Sequence, residues 1–210
     1  MKTLKRFAIT VTAALCLLSP FFTEAKADAA AITIRAEEIS KGDELSKQIA
    51  DTYQRAKKAA GVKSFKGKCG KYVNRQLVLL GINKKYIGCN GNKAFDIYEK
   101  KSETTGGYKV TAYSAKKYTL KSALEAIEKS DPHARNILVG FQKGTSKAGK
   151  KYGHVLFIHG IENGTVYFSD SFAQTVNGKR YKEGEPISCS ISTFASLYKK
   201  YKLDGVIHFG

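Results

Sequence analysis

The chain is short of acids. Its 210 residues carry 18 Asp and Glu against 36 Lys and Arg, a formal net charge of +18. Such a surplus says nothing about fold, but it directs the protein towards polyanions: nucleic acid, anionic lipid or anionic cell-wall polymers. Histidine and cysteine are scarce, with four of each. No Cys-x-x-Cys and no His-x-x-x-His spacing occurs, so the sequence offers no familiar metal-ligand pair. Beyond the N-terminal segment no apolar run approaches the roughly 20 residues that a membrane span requires. There is no internal repeat and no low-complexity block beyond Lys-rich loops, which excludes a solenoid or a repeated binding module.

What is present begins with an export signal. Lys2, Lys5 and Arg6 precede an apolar run from Phe7 to Phe22, and Ala25-Lys26-Ala27 is a small-x-small cleavage site. Residues 1–27 therefore read as a signal peptide, 28–41 as a flexible lead-in, and 42–210 as one domain. Leu15 stands before Cys16 where a lipoprotein signal wants a small residue, so lipid attachment is not expected. The leader takes four basic residues and Glu24 with it, so the charge falls from +18 to +15. A secreted or wall-associated chain of this charge meets anionic wall polymers before nucleic acid. Cleavage leaves Cys69, Cys89 and Cys189, an odd number. One thiol is then reactive or awaits a partner.

Helical periodicity comes first along the domain. Leu45, Ile49, Tyr53, Ala56 and Ala60 share a face over 43–60, and Gly61 ends that helix. Cys69, Tyr72, Val73, Gln76, Leu77 and Leu80 follow i, i+3, i+4, i+7 spacing, closed by Gly81. A short helix after Gly91-Asn92 and another over 120–129 follow, with a weak strand near 108–113 between them. The period then changes. Strands are expected at 137–142, 154–161, 165–171 and 206–209, with a mobile basic loop over 144–151 and a helix over 193–202. Glu162-Asn163-Gly164 is a strong hairpin signal. Helices first and antiparallel strands second make an α+β domain rather than an alternating, doubly wound one.

The chemistry centres on Cys69. A thiol in the first turn of a helix faces unpaired N–H groups and the positive end of the helix dipole, both of which favour thiolate. Gly67 and Gly70 flank it and allow close approach of a substrate backbone. The Cys69 N–H is placed to help hold an oxyanion. On position alone, a small core residue or a disulfide with Cys89 explains Cys69 equally well. A thiolate needs a base. His154 and His159 lie five apart in one strand, on opposite faces, so only one meets Cys69. His154, entering after Gly153, is the better placed. A third residue must orient the imidazole. With Asn163-Gly164 as a two-residue turn, His154 shares its face with Ser169 and Ser171. With a three-residue loop it shares it with Phe168, Asp170 and Phe172. The three-residue loop puts Gly164 where positive φ is needed, and a carboxylate is the stronger partner for imidazolium. Asp170 is therefore expected, with Ser169 as the alternative.

The order of these parts resembles the CHAP family, the cysteine, histidine-dependent amidohydrolases and peptidases of the papain-like clan. The segments that carry the resemblance are KCGKYVNRQL at Cys69, NGNKAFDIYEK after Cys89, YGHVLFIHGIENGTVYFSD around His154, and GVIHF near the end. Two positions depart from the family: Phe95 stands where Trp is frequent, and Phe172 where Asn is frequent. The resemblance implies a papain-like fold, with Cys69 as nucleophile, His154 as base and acid, and Asp170 orienting His154. It also implies amide hydrolysis without a cofactor and peptidoglycan as substrate. Two other functions fit the residues: a secreted protease or amidase acting on a protein or small amide, and a non-catalytic basic binding module. With Cys69 assigned, Cys89 and Cys189 are left over and are expected to pair.

Overall fold

In a computed structural model the chain divides into two units, Met1–Ser40 and Lys41–Gly210. The structure describes residues 42–82, 95, 99, 104–145, 147–149 and 151–210, all in the second unit. The segments expected as signal peptide and lead-in, and Cys89, lie outside the described residues. The architecture is α+β, and the described residues include four helices of two turns or more and an antiparallel sheet. Helix α1 covers 42–60, α2 Cys69–Leu79, α3 Leu120–Ser130 and α4 Ile191–Leu197. The strands are β1 Thr104–Thr105, β2 Tyr108–Ser114, β3 Arg135–Thr145, β4 Lys151–Glu162, β5 Thr165–Ser169, β6 Gln174–Val176, β7 Lys179–Tyr181, β8 Ile187–Ser190 and β9 Leu203–Phe209. Seven of them form one sheet in the order β1-β2-β9-β3-β4-β5-β8, and β6 and β7 form a separate hairpin. No described helix is long and apolar enough to cross a membrane.

The two N-terminal helices stop where their glycines allow it. Gly61 and Gly81 take φ of +59° and +79°. In each case the two following N–H groups fold back onto the last turn: Val62 to Lys57 O at 3.2 Å, and Ile82 to Leu77 O at 2.8 Å. This left-handed cap satisfies carbonyls that the helix leaves unpaired. Helix α3 is fixed at its other end. Thr119 and Ser122 exchange side-chain and backbone hydrogen bonds as a capping box, a device worth about 1 kcal/mol.

The sheet is buried on both faces, which explains why its strands read as apolar runs rather than alternations. Leu138, Val155, Phe157 and Ile207 pack with Val73, Leu77 and Phe95 on one face. Their chain neighbours Val139, Leu156, Ile158 and Val206 pack with Leu124, Ile127, Phe194 and Tyr198 on the other. Helix α2 thus covers one face, and α3 and α4 the other. The helices do not simply precede the sheet.

Several element boundaries differ from those expected. The basic loop over 144–151 is much shorter, because β3 runs on to Thr145 and β4 begins at Lys151. Strand β8 was unexpected: Cys189 lies in it, buried and paired across to Val166, not in a loop. Cys189 is a free thiol in this structure, and Cys89, with which it was expected to pair, lies outside the described residues. Burial pushes the Cys189 pKa up to about 11, which makes it inert. The hairpin turn also differs. Glu162 opposes Thr165, so Asn163 and Gly164 alone make the turn, with φ of +47° and +71°. Both central residues are left-handed, as a type I′ turn requires.

Candidate active site

Cys69 is the first residue of α2. Lys68 before it provides no side-chain cap, and the first turn has no acid. The unpaired N–H groups and the dipole of that end are therefore available to a thiolate. The loop that delivers Cys69 is held from elsewhere. Glu183, between β7 and β8, accepts hydrogen bonds from Tyr53 Oη at 2.5 Å, from Ser64 Oγ at 2.6 Å and from the Phe65 N–H. Burial opposes the charge, but these donors hold the Glu183 carboxyl below its usual range. Gly184 packs against the Tyr53 ring, where a Cβ would come within 2.3 Å, and its N–H reaches the Asp170 carbonyl at 2.8 Å. One loop thus fixes both the approach to Cys69 and the backbone of Asp170.

His154 and Asp170 come from neighbouring strands. The route by which Asp170 reaches His154 was not the expected one. The two-residue turn by itself aligns His154 with Ser169 and Ser171. The register then shifts between Ile158 and Gly160: Gly160 opposes Tyr167, but Ile158 opposes Phe168 and Phe157 opposes Ser169. The extra residue, His159, is a β-bulge, and it exchanges the two faces for everything upstream. His154 therefore shares its face with Asp170. The loop expected from sequence and the bulge found in the structure produce the same parity for different reasons. Ser169 points elsewhere and bonds the Tyr72 hydroxyl at 2.6 Å, tying α2 to β5.

Asp170 is almost fully buried and is met by several donors. His154 Nε2 lies 3.1 Å from one carboxylate oxygen and 3.2 Å from the other. Gln174 Nε2 donates to it at 2.6 Å, Tyr198 Oη at 2.8 Å and the Phe172 N–H at 3.2 Å. Burial alone would raise this carboxyl; His154 first, then Tyr198 and Gln174, outweigh burial and lower it. The imidazole sits among aromatic rings. Tyr201 and Tyr198 stack on it at 5.5 and 5.9 Å, Phe141 lies parallel at 6.3 Å, and Phe172 meets it edge-on at 5.5 Å. Such rings exclude water, and their faces attract a cation.

Cys69 and His154 are brought together at an open edge of β4. Pairing of β4 with β5 ends at Phe157 and Ser169, so among the described strands none pairs with residues 154–156 on that side. Burial disfavours the thiolate. The nearby His154 ring, its charge, and the N–H groups of Val155 and Gly70 outweigh burial and lower the Cys69 pKa. Burial likewise disfavours the imidazolium, yet Asp170 and Cys69 raise His154 to about 9. Nδ1, the ring nitrogen turned away from Asp170, is buried with no formed hydrogen bond. The sulfur is therefore near enough to couple with the ring without a closed bond in this conformation, as is common before substrate binds. The arrangement favours a thiolate–imidazolium pair.

The other histidines lie apart. His159 faces α2 and bonds Gln76 at 2.8 Å. His208 Nε2 lies 3.6 Å from Asp131, and His133 is exposed in its turn. Sequence reasoning missed Gln174, Tyr198, Tyr201, Phe141 and Glu183. Their contacts with the site are made by the fold, and no local spacing signals them. A cavity of about 510 Å3 lies at the same end of the sheet, lined in part by Phe95, Gln142, Leu203 and Asp204, but not by Cys69, His154 or Asp170. The candidate site is marked by the side-chain constellation and not by this cavity. Among the described residues no cluster of His, Cys, Asp and Glu is arranged to hold a metal. No protein-family model matches the chain, and no curated protein or solved structure matches it.

Proposed function

We propose that the chain is a secreted cysteine hydrolase of papain-like type that cleaves amide bonds, with bacterial peptidoglycan as its substrate. The observation that carries this reading is the coupling of Cys69, at a helix N-terminus, to a buried imidazole whose far nitrogen is held by Asp170. A helix presenting a thiol against an antiparallel strand presenting a histidine is the papain-like arrangement. The CHAP resemblance supports that fold and the choice of peptidoglycan.

The chemistry follows from the charges. Cys69 thiolate attacks the amide carbon, and the carbonyl electrons move to oxygen. The Cys69 N–H and the open first turn of α2 face the developing oxyanion. The carbonyl re-forms as the C–N bond breaks, and His154 gives its proton to the departing amine. His154, now neutral, takes a proton from water, whose oxygen attacks the thioester. Collapse of that intermediate expels the thiolate and releases the acid, returning the starting pair. Asp170 stays ionised throughout, fixes the tautomer and supports the imidazolium. No step calls for a cofactor.

Incubation with purified muropeptides and mass spectrometry of the products tests the reading, with Cys69→Ala as control. New amine and carboxyl ends that depend on Cys69 support it. Intact muropeptides beside cleaved casein would move the substrate to protein. Intact substrates of both kinds, with a Cys69 that labels no faster than an ordinary thiol, would leave a binding module. The free state of Cys69 already weighs against the disulfide-bonded form of that module.

A further inference from the structure

The surface beside Cys69 is unlike the rest of the molecule. From residue 52 to residue 82 the chain contains no Asp or Glu. It contains Lys57, Lys58, Lys63, Lys66, Lys68 and Lys71, gathered where the end of α1 meets the start of α2. Lys58, Lys63, Lys66, Lys68 and Lys71 are exposed, and none makes an ion pair among the described residues. Lys71 Nζ reaches across to the Ala60 carbonyl at 3.5 Å, which draws the two helix ends into one corner. Among the described residues the fold brings the Glu183 carboxylate here, and its oxygens are engaged by Tyr53, Ser64 and Phe65. A groove of about 520 Å3, lined by Gln54, Lys57, Lys58, Gly61, Val62 and Lys63, runs through the corner.

Like charges held this close repel one another and oppose the compact state unless an anion offsets them. We propose that this groove and its lysines form a docking site for a flexible phosphodiester polymer, of the polyol-phosphate class found in cell walls. Two features select that class. The aromatic side chains of the corner, Tyr53, Phe65 and Tyr72, are all buried. The surface therefore offers cations without rings for bases to stack on, and single-stranded nucleic acid obtains much of its affinity from such stacking. The corner is shallow and open and presents no large exposed apolar side chain among the described residues, so it lacks the apolar residues with which a protein enters a lipid interface. Lys68 and Lys71 bracket Cys69 in sequence and extend the basic surface beyond the groove. The site does not depend on Cys69 being a nucleophile.

The test is binding of end-labelled poly(glycerol phosphate) to the full chain carrying Cys69→Ser, across a salt series. The logarithm of affinity should fall against that of salt with a slope of about −3, as for roughly four phosphate contacts on a single flexible chain. The triple variant Lys58→Gln, Lys63→Gln, Lys66→Gln should bind about tenfold more weakly at low salt and flatten the slope by about 2. A charge-matched triple, Lys116→Gln, Lys117→Gln, Lys129→Gln, should bind as the parent does, with neither variant melting below the parent temperature. Equal loss in the two triples would overturn the site, since net charge alone would then explain binding. Single-stranded DNA or anionic vesicles binding as tightly, with the same sensitivity to the first triple, would overturn the choice of polymer.

Discussion

The two histidines of β4 share a strand and a largely dry surrounding, yet their proton affinities are pushed in opposite directions. His154 is raised to about 9 and His159 is pushed down to about 4. Burial acts the same way on both: it disfavours the imidazolium. The difference lies in what each ring meets. His159 meets only the neutral amide of Gln76, so burial prevails. His154 meets a carboxylate and a nearby thiol, and these outweigh burial. The bulge at His159 separates the two environments, because it turns His154 towards Asp170 while His159 stays against α2. An imidazole's proton affinity is set by its neighbours, and one inserted residue selects the neighbours.

Removing His154 is the harshest test of this difference. His154→Gln should abolish amide hydrolysis, a loss on the order of a thousandfold or more. It should also return Cys69 towards an ordinary thiol, so alkylation by iodoacetamide at pH 6 should slow by about tenfold or more. Unchanged alkylation would mean that the helix end alone activates the sulfur. Asp170→Asn ranks next. The imidazolium of His154 loses its proton as pH rises through about 9, so kcat/KM should fall above that pH in the parent. Asn keeps a hydrogen-bonding side chain but removes the charge that raises His154. The alkaline limb should move towards the unperturbed value near 6.5, and kcat/KM at neutral pH should fall by about ten- to a hundredfold. An alkaline limb that stays near 9 would show that Cys69, not Asp170, sustains the imidazolium.

Cys69, His154 and Asp170 were all picked from sequence, but not on equal grounds. The Cys69 helix declares itself by its own period and by Gly81, and both are local. His154 was singled out by Gly153 and by the strand run, also local. Asp170 depended on a parity that the hairpin turn alone gets wrong. A bulge has no short-range signature, since His159 looks like any other residue of an apolar strand. Strand β8 escaped for a related reason: Ile187–Ser190 is only four residues long, and its place at the edge beside β5 is set by pairing. Helices on both faces of the sheet were latent in the unbroken apolar runs of β3, β4 and β9. Gln174 and Tyr198 reach Asp170 only through the folded chain.

The Glu183 clamp separates geometry from charge. Glu183→Ala removes the acceptor for Tyr53, Ser64 and Phe65 but touches neither His154 nor Asp170. Water replaces part of what is lost at this partly exposed position. Stability should fall by about 1–2 kcal/mol, read from urea unfolding. Displacement of Cys69 should lower kcat on the order of fivefold, with the alkaline limb left at its parent position. A limb that moved would show that the clamp acts on the charges of the site and not on the placement of α2.

The smallest effect belongs to His159, and it completes the contrast with His154. Its folded value lies below the unfolded value of about 6.5, so the folded state binds protons less readily than the unfolded state. Its contribution is therefore fully present above about 6.5 and is lost as pH falls from there through about 4. The ring keeps some surface, which moderates the effect to about 1 kcal/mol. His159→Gln preserves a bonding partner for Gln76 and removes the titration. Urea unfolding at pH 7 and pH 4.5 should show a smaller drop in the variant than in the parent, while kcat/KM at pH 7 stays within about threefold. A large loss of kcat/KM in this variant would mean that the ring at position 159, and with it the bulge, governs how His154 is aimed. The bulge would then belong to the catalytic apparatus and not only to the register of the sheet.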